Sequence, residues 1–307
     1  MRIAVMGSGG VGGYFGGMLA RAGEEVTFIA RGAHLEALRA HGLTIQSRLM
    51  GDFTLAVHAT DDPRAVGEVD LVLMCVKTYD LDAAAAQILP LVGPRTMILP
   101  LQNGIDSAER LARVVGPEGV LGGVAYVIAT RVAPGVIAHV GQNQIIFGEL
   151  SGGTSRRTEH LSDVFRRTAI IGELHPDIRV PRWEKFILLA GSGGVMALTR
   201  LPLGPILACP ETSALFRGAI EEATAVGRAL GIPLREDCVD HHWAFVSRQD
   251  PSARSSMLND VMAGHRLELE ALNGTVVRLG RQLGIPTPLN FAVYAALKPY
   301  VEGMPQS

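Results

Sequence analysis

Near its start the chain carries Gly7-Ser8-Gly9-Gly10-Val11-Gly12, a spacing that cradles a pyrophosphate. The β-prone run Arg2–Met6 leads into it, and a helical pattern over Tyr14–Ala22 leads out. Each glycine has a mechanical task. Gly7 makes the tight turn, Gly9 admits the pyrophosphate to the backbone, and Gly12 lets the helix lie close on the strand. The anion would rest on free N–H groups at a helix N-terminus, where the helix dipole favours negative charge. Glycine spacing alone also describes a flexible turn. The flanking strand and helix select dinucleotide binding.

Dinucleotide sites that take NAD place an acid near the end of the second strand, against the ribose 2′-hydroxyl. Here that place is Ala30-Arg31; Glu24 and Glu25 come too early and Glu36 lies a turn into the next helix. An arginine fork suits a 2′-phosphate, so the residues favour NADP(H) over NAD(H). Lys77 and Asn103 follow the strands Asp70–Val76 and Thr96–Leu101, at the edge where open α/β sheets hold ligands. A solvated loop lysine and an ordinary Asn-Gly turn explain them as well. Further on, Trp183-Glu184-Lys185 opens an otherwise apolar helix. The Lys185 amine either snorkels to water or faces a cleft, where desolvation would lower its pKa and make it a usable general acid.

The elements that must position these groups alternate in the first half. Strands are predicted at Arg2–Met6, Glu25–Ile29, Asp70–Val76, Thr96–Leu101 and Gly119–Val127. Helices are predicted at Tyr14–Ala22, Ala33–His41, Leu81–Leu89 and Ser107–Val115. That alternation implies a parallel sheet covered on both faces. Two shorter β-like pieces follow, Val136–His139 and Gln144–Phe147, then one amphipathic helix and a polar break at His175–Arg179. Beyond it only helices are predicted: Pro181–Leu198, Thr212–Leu230, Asp237–Gln249, a long stretch over Met257–Leu283, and Leu289–Tyr300. The expectation is an α/β protein: a Rossmann-type dinucleotide-binding domain over residues 1–178, then an all-α domain over 179–307. A cleft between two such domains is a common ligand site.

Composition narrows the partners. A net charge of −2 argues against a nucleic acid or an anionic membrane surface. Cys75, Cys209 and Cys238 are scattered without metal spacing and read as reduced, mostly buried thiols. Arg156-Arg157 and Arg166-Arg167 read as one solvated helix face. The first strand begins without a signal region, and the apolar run Phe186–Leu198 is too short to span a bilayer, so a soluble, cytoplasmic protein is expected.

Taken together, the chain resembles the ketopantoate reductases (2-dehydropantoate 2-reductases) over nearly its whole length. The resemblance is carried by Gly7–Gly12, Arg31-Gly32, Val76-Lys77, Gln102-Asn103-Gly104, Trp183-x-Lys185, Ser255-Ser256-Met257-Leu258-x-Asp260, and Glu268 with Asn273-Gly274 five residues on. It implies NADPH as hydride donor, a small 2-keto acid reduced to a 2-hydroxy acid in pantothenate biosynthesis, and a homodimer. It also implies that Lys185 is the general acid and that Glu268 orients substrate and cofactor. Asn103 would stand near the nicotinamide and the lysine, and Ser256 would hold the substrate carboxylate at the helix N-terminus it precedes. Arg31 and Lys77 would be cofactor-side cations, and Thr130, in an Ala129-Thr130-Arg131 loop, a cofactor contact alongside Ser8, Gly10 and Val11. The nicotinamide supplies the hydride, so the chemistry requires no metal. Periodicity does not separate Glu268 from Arg266 or Glu270; only the resemblance selects it.

One departure bears on the substrate. The family usually carries substrate-contacting asparagines four and eight residues after the lysine, and a third further on. Here those positions are Leu189, Gly193 and Leu203. A reductase of the same family acting on a more apolar 2-keto acid is therefore an open alternative, and a non-catalytic NADP(H)-binding sensor is a second. A break near Gly264 is also expected. On one straight helix Ser256 and Glu268 would stand about 18 Å apart, too far for one small substrate. Glycine favours helix ends, with a fresh start expected around Arg266.

Overall fold

The computed structural model describes residues 1–305. Its first unit comprises Met1–Gln102 and Asp106–Ile178. Along the chain this unit runs β1 (Arg2–Met6), α1 (Gly10–Arg21), β2 (Glu25–Ile29), α2 (Gly32–His41), β3 (Leu43–Ser47), β4 (Phe53–Leu55) and β5 (His58–Thr60). It continues β6 (Leu71–Met74), α3 (Leu81–Gln87), β7 (Met97–Pro100), α4 (Ser107–Val115), β8 (Leu121–Ala133), β9 (Val136–Glu149), α5 (Arg156–Arg166) and β10 (Ile171–Leu174).

A five-stranded sheet has the order β5-β2-β1-β6-β7, parallel throughout. Its alternating side chains explain why helices cover both faces. Ile3, Val5, Leu71 and Leu73 pack with Phe15 and Leu19 of α1, whereas Ala4, Met6, Val72 and Met74 pack with Leu81 of α3 and Leu111 of α4. The chain passes from β1 outward to β2 and β5, then returns to β6 and β7. The carboxyl ends of β1 and β6 therefore form the switch point where such sheets bind ligands.

Several sequence expectations are corrected. The strand expected at Gly119–Val127 meets the parallel sheet only through a single parallel bridge, Val120 with Ile98 of β7. As β8 it pairs antiparallel with β9 in a second sheet of order β10-β9-β3-β4. The two short pieces at Val136–His139 and Gln144–Phe147 are one strand, β9, carried through its polar middle by register shifts against β8. Thr130 accordingly lies inside β8, not in a loop. Strands β3, β4, β5 and β10 were not foreseen: β4 and β5 are three residues long, and β3 and β10 intersperse apolar residues with polar ones or glycine, unlike the continuous apolar runs of β6 and β7. Helix α1 begins at Gly10, four residues before the predicted start, because packing overrides the low helix propensity of its glycines. The basic pairs lie along α5 and at its C-cap, with Arg156, Arg166 and Arg167 exposed as expected; Arg157 is half-buried and ion-paired with Glu149, and Arg167 pairs with Glu24. Of the cysteines, Cys209 is exposed.

The second unit comprises the chain from Arg179 onward, together with Asn103–Ile105. It is built from α6 (Arg179–Thr199), α7 (Leu203–Ala208), α8 (Pro210–Ala229), α9 (Cys238–Val246), α10 (Ser256–Met262), a π-turn (Glu270–Gly274), α11 (Thr275–Leu283) and α12 (Pro288–Leu297). Helix α7 was not foreseen, and Leu203, at its start, is a core residue. The long predicted stretch is broken as expected. α10 ends at Met262, and Gly264 takes φ +69°, a left-handed conformation that glycine accepts without strain. The restart comes at the π-turn instead of Arg266. The intervening stretch is held by the chain end, with Leu267 N donating to Val301 O at 2.9 Å and Arg266 paired with Glu302 at 2.8 Å. Among the described residues no helix is long and apolar enough to cross a membrane.

Candidate active site

In the first unit the glycine turn sits at the switch point. Gly7 leaves β1 with φ +98°, and a Cβ there would stand 2.7 Å from the amide nitrogen of Val76 at the exit of β6. A Cβ at Gly10 would meet Ala129 O at 2.1 Å and one at Gly12 would meet Gly7 O at 2.1 Å. Gly9 differs: nothing lies within 4 Å of its Cβ position. It also caps α1 without any side-chain hydrogen bond, which leaves the first-turn N–H groups to an outside acceptor. This open, uncapped cradle fits the pyrophosphate of a dinucleotide. Lys77 is half-buried one residue beyond Val76, and the Ala129–Thr130 backbone of β8 lies against Gly10.

A residue the sequence did not flag braces this turn. His34 on α2 donates from Nε2 to Ser8 O at 2.8 Å, while its Nδ1 accepts from Gly135 N at 2.9 Å. That pair of bonds requires the neutral ring. Burial, with the Arg131 charge adding to it, holds His34 below the usual histidine range. Arg31, the N-cap of α2, is exposed and donates to Gln87 Oε1 at 2.7 Å. It lines a cavity with Asp61, Asp62, Arg64 and Gln87. Asp62 holds the Arg64 fork through two bonds of 2.9 and 3.0 Å. The Arg31 fork, by contrast, meets the neutral Gln87 amide, which leaves its charge available to an anion.

In the second unit, Asn103, Lys185 and Glu268 come together. Asn103 Nδ2 donates to Glu268 Oε2 at 3.3 Å. Glu268 is buried, and its charge acts on Lys185. Burial pulls the Lys185 amine down to about 8, with Glu268 opposing the fall. The break at Gly264 settles which acid faces inward. Glu270 is exposed and bonded to Tyr294 and Lys298, and Arg266 pairs with Glu302, so neither competes with Glu268. Asn103-Gly104-Ile105 is seated from both ends. A Cβ on Gly104 would press on Ala271 O at 2.9 Å, and the buried Arg182 of α6 donates to Ile105 O. Arg182 went unnoticed in the sequence because its partner lies 77 residues away.

Leu189 and Gly193 continue the Lys185 face of α6 by one and two turns. Leu189 is half-buried against the core, and the Cβ position of Gly193 faces Leu272 Cδ1 at 3.7 Å and Met257 Cε at 3.9 Å. The wall there is apolar and has room for a Cβ. Ser256 is exposed as the first residue of α10, not the residue before it. The cap is Ser255, whose Oγ accepts from Leu258 N at 3.1 Å.

A glycine turn at the switch point of a parallel sheet defines the class: a Rossmann-type dinucleotide-binding fold, continued here by a helical unit. Residues 3–152 match the family model Ketopantoate reductase PanE/ApbA, and residues 177–301 match Ketopantoate reductase PanE/ApbA C terminal. The chain belongs to the ketopantoate reductase family. It is 32% identical to a 2-dehydropantoate 2-reductase of Mesorhizobium japonicum, over 97% of each chain. It is also 30% identical to an uncharacterized oxidoreductase of Bacillus subtilis, over 98% of this chain and 99% of that one. The crystal structure of 2-dehydropantoate 2-reductase from Geobacter metallireducens superposes with a TM-score of 0.92 at 34% identity, covering 97% of this chain and 99% of that one.

Proposed function

We propose that the protein is an NADPH-dependent reductase that converts 2-dehydropantoate to pantoate. The observation that carries this reading is the cluster of Lys185 with the buried Glu268, which Asn103 in turn hydrogen-bonds. Residues 1–178 hold the cofactor, and residues 179–307 bind the substrate and join two copies in a cytoplasmic homodimer.

NADPH, when bound, supplies the hydride. Gly7, Ser8, Gly9, Gly10, Val11 and Gly12 seat its pyrophosphate, with Lys77, Thr130 and Asn103 as further contacts and Arg31 on the 2′-phosphate. Hydride arrival at the keto carbon drives negative charge onto the ketone oxygen. Lys185 Nζ neutralises that charge and gives the oxygen its proton. Glu268 holds the lysine in its ammonium form and, with Asn103, orients the reacting groups. Ser256 holds the substrate carboxylate, and Leu189 and Gly193 wall the substrate's alkyl end. A sensor that only bound NADP(H) would have no use for a desolvated ammonium beside a buried carboxylate.

The test is pantoate formation from 2-dehydropantoate by the purified protein with NADPH. A protein that binds NADPH and forms no 2-hydroxy acid overturns the reading. Cofactor choice is tested separately. Charge-assisted hydrogen bonds contribute about 1.5–3 kcal/mol, so Arg31→Ala should weaken NADPH binding by about ten- to a hundredfold and leave NADH binding nearly unchanged. Equal loss for both cofactors would remove Arg31 from the 2′-phosphate.

A further inference from the structure

The segment after Glu268 is a π-turn, an insertion into helical geometry that is uncommon and often found at functional sites. The turn is anchored by a buried amide. Asn273 on the turn is fully buried, and its Nδ2 donates to Ala190 O of α6 at 2.9 Å and to Asn290 Oδ1 of α12 at 3.0 Å. The direction of that amide is determined. Asn290 spends its own Nδ2 on Ala219 O at 3.1 Å and on Glu222 Oε2 at 2.8 Å, so its Oδ1 is the end left to accept. Glu222 in turn accepts from the backbone N–H groups of Leu289 and Asn290 at 2.8 and 2.9 Å. A carboxylate on α8 thus sets the polarity of a buried relay, Glu222–Asn290–Asn273, that ends on α6.

The far end of the relay lies within about one and a half helical turns of Lys185. Ala190 is five residues along α6 from Lys185, and Asn273 is five residues along the chain from Glu268. The Asn273 amide packs against Gly194, where a Cβ would stand 2.5 Å from its Oδ1 and 2.8 Å from its Nδ2. The opposite side of the turn carries Ala271 O against Gly104, next to the Asn103 that bonds Glu268. We infer that Asn273 is a positioning residue for the reaction: by tying the π-turn to α6 it keeps Glu268 in register with Lys185 and Asn103. This rests on the functional reading above, and wild-type turnover of 2-dehydropantoate, measured in parallel, tests that reading separately.

The variant is Asn273→Ala in the full-length protein, assayed for NADPH affinity, kcat and the pH dependence of kcat/KM. A small misplacement of reacting groups costs about ten- to a hundredfold, so kcat should fall by that factor. NADPH affinity should change far less than kcat, because the relay does not touch the glycine turn and reaches the cofactor side only through Asn103. The alkaline limb of kcat/KM should move to lower pH, as in Glu268→Gln, because Glu268 no longer opposes the desolvation of Lys185. A role in stability alone would lower Tm and leave both kcat and the limb in place. Asn290→Ala keeps Asn273 and removes the acceptor that orients it, and should move the limb in the same direction with a smaller loss of kcat. Wild-type kcat and an unmoved limb in a folded form of either variant overturn the inference.

Discussion

Lys185→Ala is expected to lower kcat by about 10²–10⁴-fold, the usual worth of a positioned general acid. That range corresponds to about 3–5 kcal/mol of barrier. The loss should fall on the chemical step, because the proposed proton donor is a residue of α6, whereas the glycine turn proposed to seat the cofactor belongs to the first unit. NADPH should therefore bind the variant as it binds the wild type. Lys185→Arg should be nearly as slow: a guanidinium keeps its proton at every accessible pH and is a poor acid. A loss of less than about tenfold in Lys185→Ala, with chemistry rate-limiting, would remove Lys185 from the role.

The second large effect concerns substrate choice. A site that reads a hydroxyl through buried polar groups rejects an analogue lacking it by about 10⁴–10⁵-fold, whereas an apolar pocket separates such pairs by about 10²-fold. Leu189 and Gly193 stand where the family resemblance implies amides, and the third such position, Leu203, is packed in the core of the helical unit. The space at Gly193 is bounded by Leu272 and Met257. The kcat/KM ratio between 2-dehydropantoate and a branched 2-keto acid without the hydroxyl should accordingly be no more than about a hundredfold. Gly193→Asn should raise it, because a Cβ there meets only ordinary van der Waals contacts. A wild-type preference above about a thousandfold would show that other polar groups read the hydroxyl.

What was legible in the sequence follows the range of the interactions. The glycine fingerprint is local: Gly7, Gly10 and Gly12 are forced by a turn or a close contact, and Gly9 faces open space. The break at Gly264 was also legible, since a straight helix would have separated Ser256 and Glu268 too far. The choice among Arg266, Glu268 and Glu270 was not. Helical periodicity cannot order residues in a stretch that is not helical, and the pairing of that stretch with Val301 and Glu302 is a long-range fact. His34 and Arg182 share that reason: each bonds a backbone carbonyl distant in sequence, 26 and 77 residues away. The second sheet was hidden because β3 intersperses apolar with polar residues, β4 is three residues long, and the long strand β9 passes through a polar middle.

The measurement that bears most directly on Lys185 as the acid is the pH dependence of kcat/KM for 2-dehydropantoate reduction, which reports the free enzyme. The reductive direction needs the ammonium form. Burial places the Lys185 pKa at about 8, so the proton is present below that pH and lost above it. The predicted profile is level up to about pH 8 and then falls about tenfold per unit. A profile that stays level well beyond that point, or an alkaline limb that persists unchanged in Lys185→Arg, would contradict the assignment of the proton to Lys185.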